Sequence, residues 1–183
     1  FGEAQGQIEE VPVRVATHIT VMAYLLPPIV KEFRKRFPRA ELSILSRTRE
    51  EILCMVQHAE VDLGITSLST VPSDLDYTVF FRSRRVLILP KKHALAKRKT
   101  ITLEDLSECP LILPPRQSNT RVIIDAKFKE QGLSYRTAME VMGREGTKAY
   151  VAMGVGASIV NDYVLSKADR QQLVIKDVSH LFG

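Results

Sequence analysis

Val13-Arg14-Val15-Ala16-Thr17-His18-Ile19-Thr20, then Leu25-Leu26-Pro27-Pro28, then Glu41-Leu42-Ser43-Ile44-Leu45, decides how this chain is built. An apolar strand runs into a polar turn, and a proline-bearing helix follows. Apolar residues recur there at Ile29, Val30, Phe33 and Phe37, while Lys31, Glu32, Arg34, Lys35 and Arg36 fill the other face. Pro38 stops the helix, and the second strand at 41–45 makes the unit βαβ, with parallel strands and a right-handed crossover. Open α/β sheets bind ligands beyond the carboxyl ends of such strands, where free N–H groups at a helix start attract anions. The turn 17–20 lies at that place.

The same grammar repeats along the chain. A helix is expected over 49–58, with Ile52, Leu53 and Val56 inward, and a short buried strand over 61–65. A loop by composition, 67–73, leads to extended segments at 75–81 and 85–89. A second series then begins, with a short basic helix at 93–96 and another started by the capping-box pattern Thr102-Leu103-Glu104-Asp105. Strand 111–113, polar loop 114–120, helix 121–131 with a stop at Gly132, strand 137–142, helix 146–153 and strand 158–160 follow. The tail strand 173–175 is expected to rejoin the first lobe. The fold class is therefore α/β with two lobes, each a Rossmann-like mixed sheet flanked by helices. Lobe I takes 1–82 and 165–183, and lobe II takes 83–164.

Composition sets outer limits. A chain of 183 residues that is 45% hydrophobic and 26% charged has the balance of a folded globular protein. No apolar run approaches the roughly 18–20 residues needed to span a bilayer, and 1–7 lack the regions of a secretory signal. The chain begins at Phe1 with no initiator methionine, so it is expected to be part of a longer protein. Cys54 and Cys109 give neither metal-ligand spacing nor a disulfide framework, and they read as two buried free thiols of a cytoplasmic protein. The net charge of +5 is spread among acids, so it favours general attraction of small anions over direct reading of DNA.

Several short motifs taken together carry a resemblance. They are Leu26-Pro27-Pro28 with Phe33 and Phe37-Pro38, Val61-Asp62-Leu63-Gly64-Ile65, Pro90-Lys91-Lys92-His93-Ala94-Leu95-Ala96, Leu103-Glu104-Asp105-Leu106 with Cys109-Pro110-Leu111-Ile112, and Val151-Ala152-Met153-Gly154-Val155-Gly156. In this order and at these separations they resemble the effector-binding domain of LysR-type transcriptional regulators, which have the two-lobed periplasmic-binding-protein architecture. The first loop with Tyr24, and 148–156, are most similar to the CysB-like branch, which regulates sulfur assimilation. Two departures stand out. His18 holds one first-loop position where that branch has a sulfate-binding threonine, and Asn161 replaces a proline after the Gly-x-Gly strand.

The resemblance implies a small-molecule effector between the lobes, held by hydroxyls and backbone N–H groups. Carried onto matching positions, the contacts are Thr17, His18 and Thr20; Arg47 and Thr48; Thr66 and Ser67; Gln117, Ser118, Asn119 and Thr120; and Gly146 and Thr147. Neutral donors at helix starts suit an anion such as sulfate, a small carboxylate or an acetylserine-type metabolite. The same residue types also serve plainer purposes. Thr20 and Thr120 suit ordinary N-caps, His18 and Arg47 suit a solvated surface, and Tyr24 and Tyr150 suit a core or a wall. Met22, Leu26, Ile29 and Phe33 fit either the core or the subunit interface that the family builds from this helix.

The expected function is effector sensing that alters DNA binding and transcription. DNA would be bound by an N-terminal helix-turn-helix domain outside this chain, in a homodimer or homotetramer that also meets RNA polymerase. No cofactor, metal or membrane is expected. An exported solute-binding protein of the same architecture is the alternative, and an enzyme on this scaffold is a third reading. Against the enzyme, the chain has no nucleophile elbow, no Cys-x-x-Cys, no His-Glu-x-x-His and no Gly-rich phosphate loop.

Overall fold

Val15 and Ala16 are apolar because they lie in the central strand of a parallel sheet, in a computed structural model that describes residues 12–67 and 72–182. The expectations placed on 1–7, and on 68–71 within the 67–73 loop, lie outside those residues. The chain divides into two units, Phe1–Phe81 and Arg82–Gly183.

In the first unit, β1 (Val13–Thr17) has β2 (Leu42–Ser46) on one side and β3 (Leu63–Ile65) on the other, all parallel. Between them run α1 (Ile19–Tyr24), α2 (Leu26–Arg36) and α3 (Arg49–Gln57). Ile52 of α3 packs on Ala16 and Val61, with Leu45, Met55 and Val56 around them. Burying one such side chain contributes about 1.5–3 kcal/mol. Gly64 allows this closure, because a Cβ there would lie 2.8 Å from methyls of both Ile52 and Val56.

The expected single helix after the first turn is two helices. Pro27 and Pro28 have no N–H to donate back to α1, so the ladder stops at Leu25 and restarts with the prolines in the first turn of α2. Leu26 enters the core, but Ile29 and Phe37 remain 45% exposed, so the α2 stripe is only partly inward. The extended segment expected at 75–81 is not a strand, and Tyr77, Val79, Phe80 and Phe81 are exposed. A strand requires a ladder partner for its peptide groups, and periodicity says nothing about whether one is present.

The second unit is built on β4 (Arg85–Pro90), antiparallel to both β7 (Ser158–Asn161) and β8 (Leu173–Asp177). A parallel pair, β5 (Leu111–Leu113) and β6 (Thr137–Glu140), joins through a single bridge from Leu111 to Ala157. Gly156 permits that seam, since a Cβ there would meet the Pro110 carbonyl oxygen at 2.5 Å. The helices are α4 (Leu103–Ser107), α5 (Asn119–Glu130), α6 (Arg144–Ala152), α7 (Lys167–Gln172) and α8 (Ser179–Phe182). Leu87, Leu89, Leu106, Leu111, Ile124, Phe128 and Phe182 share one core. The expected capping box is present, with Thr102 accepting the Asp105 N–H and Asp105 accepting that of Thr102.

Three further expectations are corrected. The tail strand β8 pairs with β4 in the second unit, so it does not return to the first lobe; its apolar residues fit either sheet, and long-range pairing decides between them. The helix expected at 93–96 is a 3-10 turn, Ala94–Lys97. Cys109 is buried as expected, but Cys54 is exposed on α3.

Candidate functional site

Parallel pairing places Thr17 level with both Ser46 and Ile65, so the loops that follow β1, β2 and β3 leave from one edge of the sheet. That edge gathers Thr17, His18, Thr20, Arg47, Thr48, Thr66 and Ser67. Thr17 is fully buried and its Oγ1 donates to the Ile65 carbonyl at 2.9 Å, tying β1 to β3. His18 occupies the N-cap position of α1 without a side-chain cap bond, and its Nε2 lies 2.9 Å from Thr66 Oγ1. Burial holds the His18 pKa below its ordinary 6.5, against the charge of Glu50 and a hydrogen bond to the Arg47 backbone. The ring is therefore neutral at neutral pH. With its proton directed to Arg47, Nε2 accepts from the Thr66 hydroxyl, an assignment made from the bonding pattern.

Arg47 donates its backbone N–H to the Thr17 carbonyl at 2.9 Å and its Nη1 to the Ser46 carbonyl at 2.8 Å, and the residue is exposed. Thr48 is the N-cap of α3 in a full capping box with Glu51, donating to its Oε2 at 2.8 Å. Its hydroxyl is thus engaged by the helix. Thr20 lies inside the first turn of α1, so the N-cap reading of it does not hold.

In the second unit β5 and β6 are parallel neighbours, Leu113 opposite Glu140, so the loops after them also leave from one edge. Gln117 and Asn119 are exposed there, and Ser118 is half-buried. Ser118 is the N-cap of α5, accepting the Arg121 N–H at 3.2 Å, whereas Thr120 is buried within the first turn and is not the cap. Helix α6 starts at Arg144, so Gly146 and Thr147 lie within its first turn. The Thr147 hydroxyl donates to the Gly143 carbonyl at 2.9 Å.

Neutral donors and backbone N–H groups at strand ends can compensate an anion. Among the described residues no cluster of His, Cys, Asp and Glu could hold a metal ion, and no helix is long and apolar enough to cross a membrane. A depression of about 440 Å³ beside Arg116, Arg121 and Tyr135, and an apolar groove along α2 at Ile29, Phe33 and Phe37, contain none of the expected contact residues. Tyr24 and Tyr150 are half-buried.

Two buried charges that anchor these loops escape the sequence reading. Arg121 is 3% exposed; its Nε reaches Asp125 at 2.9 Å and the Tyr135 hydroxyl at 2.8 Å, and its Nη1 reaches the Pro114 carbonyl at 3.5 Å. It thereby holds the start of the loop that carries Gln117 and Ser118. Lys148, on α6 beside Thr147, is 5% exposed and pairs with Asp169 at 2.8 Å and Glu145 at 2.7 Å. Burial pushes its pKa down, but those two carboxylates outweigh burial and hold it above the ordinary value. On a helix pattern both residues read as polar-face residues, because the carboxylates that allow their burial are distant in sequence or set by register.

Comparison with known proteins identifies the family and the fold. The family model described as LysR substrate binding domain matches residues 7–181. The chain is similar to the HTH-type transcriptional regulator cbl of Escherichia coli (strain K12), 32% identical over 170 residues, covering 92% of this chain and 54% of that protein. It is 34% identical over 169 residues to the HTH-type transcriptional regulator CysB of Burkholderia cenocepacia, covering 92% and 54%. The chain thus spans about half the length of the curated relatives it matches. Among solved structures, the cofactor-binding domain of the Cbl transcriptional regulator superposes with a TM-score of 0.80 at 29% identity, covering 100% of this chain and 80% of that one. The Synechocystis PCC6803 CcmR regulatory domain in complex with 2-PG gives 0.78 at 26% identity, covering 94% and 83%.

Proposed function

The chain belongs to the LysR substrate binding domain family, and on that premise we propose that it is the effector-sensing domain of a transcription regulator, responding to a small anionic metabolite. The observation that supports this most is the gathering of His18, Thr20, Thr66 and Ser67 at the carboxyl edge of a parallel sheet, in register across β1 and β3. In the second unit, Gln117, Ser118, Asn119 and the backbone of Gly146 are the contacts proposed, at the edge where the loops after β5 and β6 leave. Thr17, Thr48, Thr120 and Thr147 are buried or bonded internally and hold those loops in place. The exposed Arg47 draws the anion in.

Sulfate, thiosulfate, acetylserines and small carboxylates are the effectors proposed, in keeping with relatives named CysB and cbl, and control of sulfur assimilation is the proposed role. An effector changes DNA binding only through unequal affinity for two arrangements of the regulator. DNA contact through a helix-turn-helix domain, contact with RNA polymerase, a cytoplasmic location and assembly into a homodimer or homotetramer belong to the same proposal. The exposed face of α2 at Ile29 and Phe37 supplies apolar surface for that assembly. The family match does not favour an exported solute carrier, and the named relatives are regulators.

Thermal melting of the chain with each of these anions tests the reading. A saturable rise in Tm that is weakened when His18→Ala and Ser67→Ala are combined is expected. No shift with any of them up to millimolar concentration overturns it.

A further inference from the structure

Arg85 opens β4, and its backbone is fixed on every side. Its N–H donates to Ser179 Oγ at 3.1 Å, and its carbonyl accepts the Val178 N–H at 2.9 Å. The side chain is the anomaly. Among the described residues its Nε and Nη1 are shut off from solvent and have no hydrogen-bond partner. A guanidinium does not deprotonate in a protein, and a buried charge or donor left without an acceptor is strongly unfavourable.

The carboxylates that could serve it are engaged elsewhere. Asp162 and Asp177 both pair with the adjacent Arg84, at 3.1 Å and 3.7 Å. What faces Arg85 is instead a second cation, Arg144 at the start of α6, together with Tyr163; burial, then the like charge of Arg144, hold the Arg85 pKa below its ordinary value. Across the β4–β7 ladder, Arg85 stands opposite Asn161, so the two side chains project from the same face of the sheet. The Asn161 amide supplies a donor on that face.

We propose that Arg85, Arg144 and Asn161 form an oxyanion site in the second unit, taking a sulfate, a phosphate or a carboxylate group. The chemistry is shared by all three ligands: two neighbouring guanidiniums and an amide on the same sheet face offer donors, and the anion satisfies the two Arg85 nitrogens that the protein leaves orphaned. Two positive charges favour a dianion over a monoanion. This site uses none of the residues proposed above as effector contacts, although Arg144 shares the first turn of α6 with Gly146 and Thr147.

The test is titration of the 183-residue chain with sodium sulfate, phosphate and acetate at constant ionic strength, read by Tm and by the NMR cross-peak of the Arg85 Nε–H. In the unmodified chain the cross-peak moves saturably, with sulfate and phosphate acting at lower concentration than acetate. Arg85→Met raises the anion-free Tm, by about 2–4 °C, because two buried N–H donors without acceptors are removed. It also shifts the sulfate midpoint at least tenfold. If Arg85→Met does not fold, Arg85→Lys is read in its place, with at least a threefold weakening expected.

A sulfate midpoint unchanged by these substitutions overturns the site, whichever way Tm moves. So does an Arg85 cross-peak that ignores all three anions. The combined His18 and Ser67 variant separates this site from the effector reading: it must leave the Arg85 cross-peak response intact, and a sulfate-dependent rise in Tm lost there and kept in Arg85→Met overturns this site while the effector reading stands.

Discussion

The two units use the same strand–loop–helix grammar but close their cores to different degrees. In the second, a mixed sheet and several helices enclose one cluster running from Leu87 through Phe128 to Phe182. In the first, among the described residues, Ala16, Ile52 and Val61 form a smaller buried cluster, Val15, Leu26 and Ala40 are also buried, and Ile19, Ile29, Leu63, Tyr77 and Phe80 are exposed. Periodicity fixes which face of an element is apolar, and topology fixes whether another element covers it. Among the described residues the first unit thus exposes more large apolar side chains than the second, consistent with the proposed assembly through α2.

The largest effects test that contrast directly. Phe128→Ala is expected to cost about 3–5 kcal/mol, and Ile52→Ala about 2–3 kcal/mol, because the half-exposed Leu45, Met55 and Val56 around Ile52 can relax into the space. Urea midpoints for the two variants measure the difference, and equal losses would erase the distinction between the cores. Next come the two glycines. Gly156→Ala drives a Cβ toward a backbone oxygen at 2.5 Å, whereas Gly64→Ala meets side-chain methyls at 2.8 Å. Both costs fall within about 1–3 kcal/mol, with Gly156→Ala at the upper end, since a carbonyl in a sheet seam yields less than a methyl. The reverse order in thermal melts would place the rigid seam in the first unit instead.

The smallest effect concerns pH. The folded His18 has a pKa below 6.5, so as pH falls the unfolded chain takes up the proton first. Its contribution to stability is complete above the unfolded value and is lost as pH drops below it. Between about pH 7.5 and about pH 5.5, the unmodified chain is expected to lose more Tm than His18→Gln. His93, also held low by burial, titrates in both proteins and cancels. A bound anion beside His18 reverses the preference, so affinity rises as pH falls; identical pH profiles for the two proteins would remove His18 from the site.

Much of this fold can be read from local chemistry. The βαβ order of β1 to β3, the capping box at Thr102 and the strand–loop–helix repeat in the second unit are set by residues only a few positions apart. What could not be read depends on distant partners. The choice of β4 over the first sheet by β8, the lack of a ladder at 75–81, and the exposure of Cys54 follow from packing that no short window contains. The candidate site divides in the same way. Hydroxyls at strand ends are visible in sequence, but not that Thr17 spends its own on Ile65, or that Thr48 spends its own on Glu51. The buried charges Arg85, Arg121 and Lys148 look like surface residues until their surroundings are known.

The pairing of β4 also imposes an order on biosynthesis. The first sheet has all its described strands once Ile65 has left the ribosome. By contrast β4, the spine of the second unit, must wait for Ser158–Asn161 and then for Leu173–Asp177 before either edge is covered. Until then Val86-Leu87-Ile88-Leu89, all buried in the finished protein, form an open apolar strand, and closing such long loops is slow. The nascent chain therefore carries this open apolar strand from residue 90 almost to residue 177, and over that stretch of synthesis a chaperone has a segment to shield.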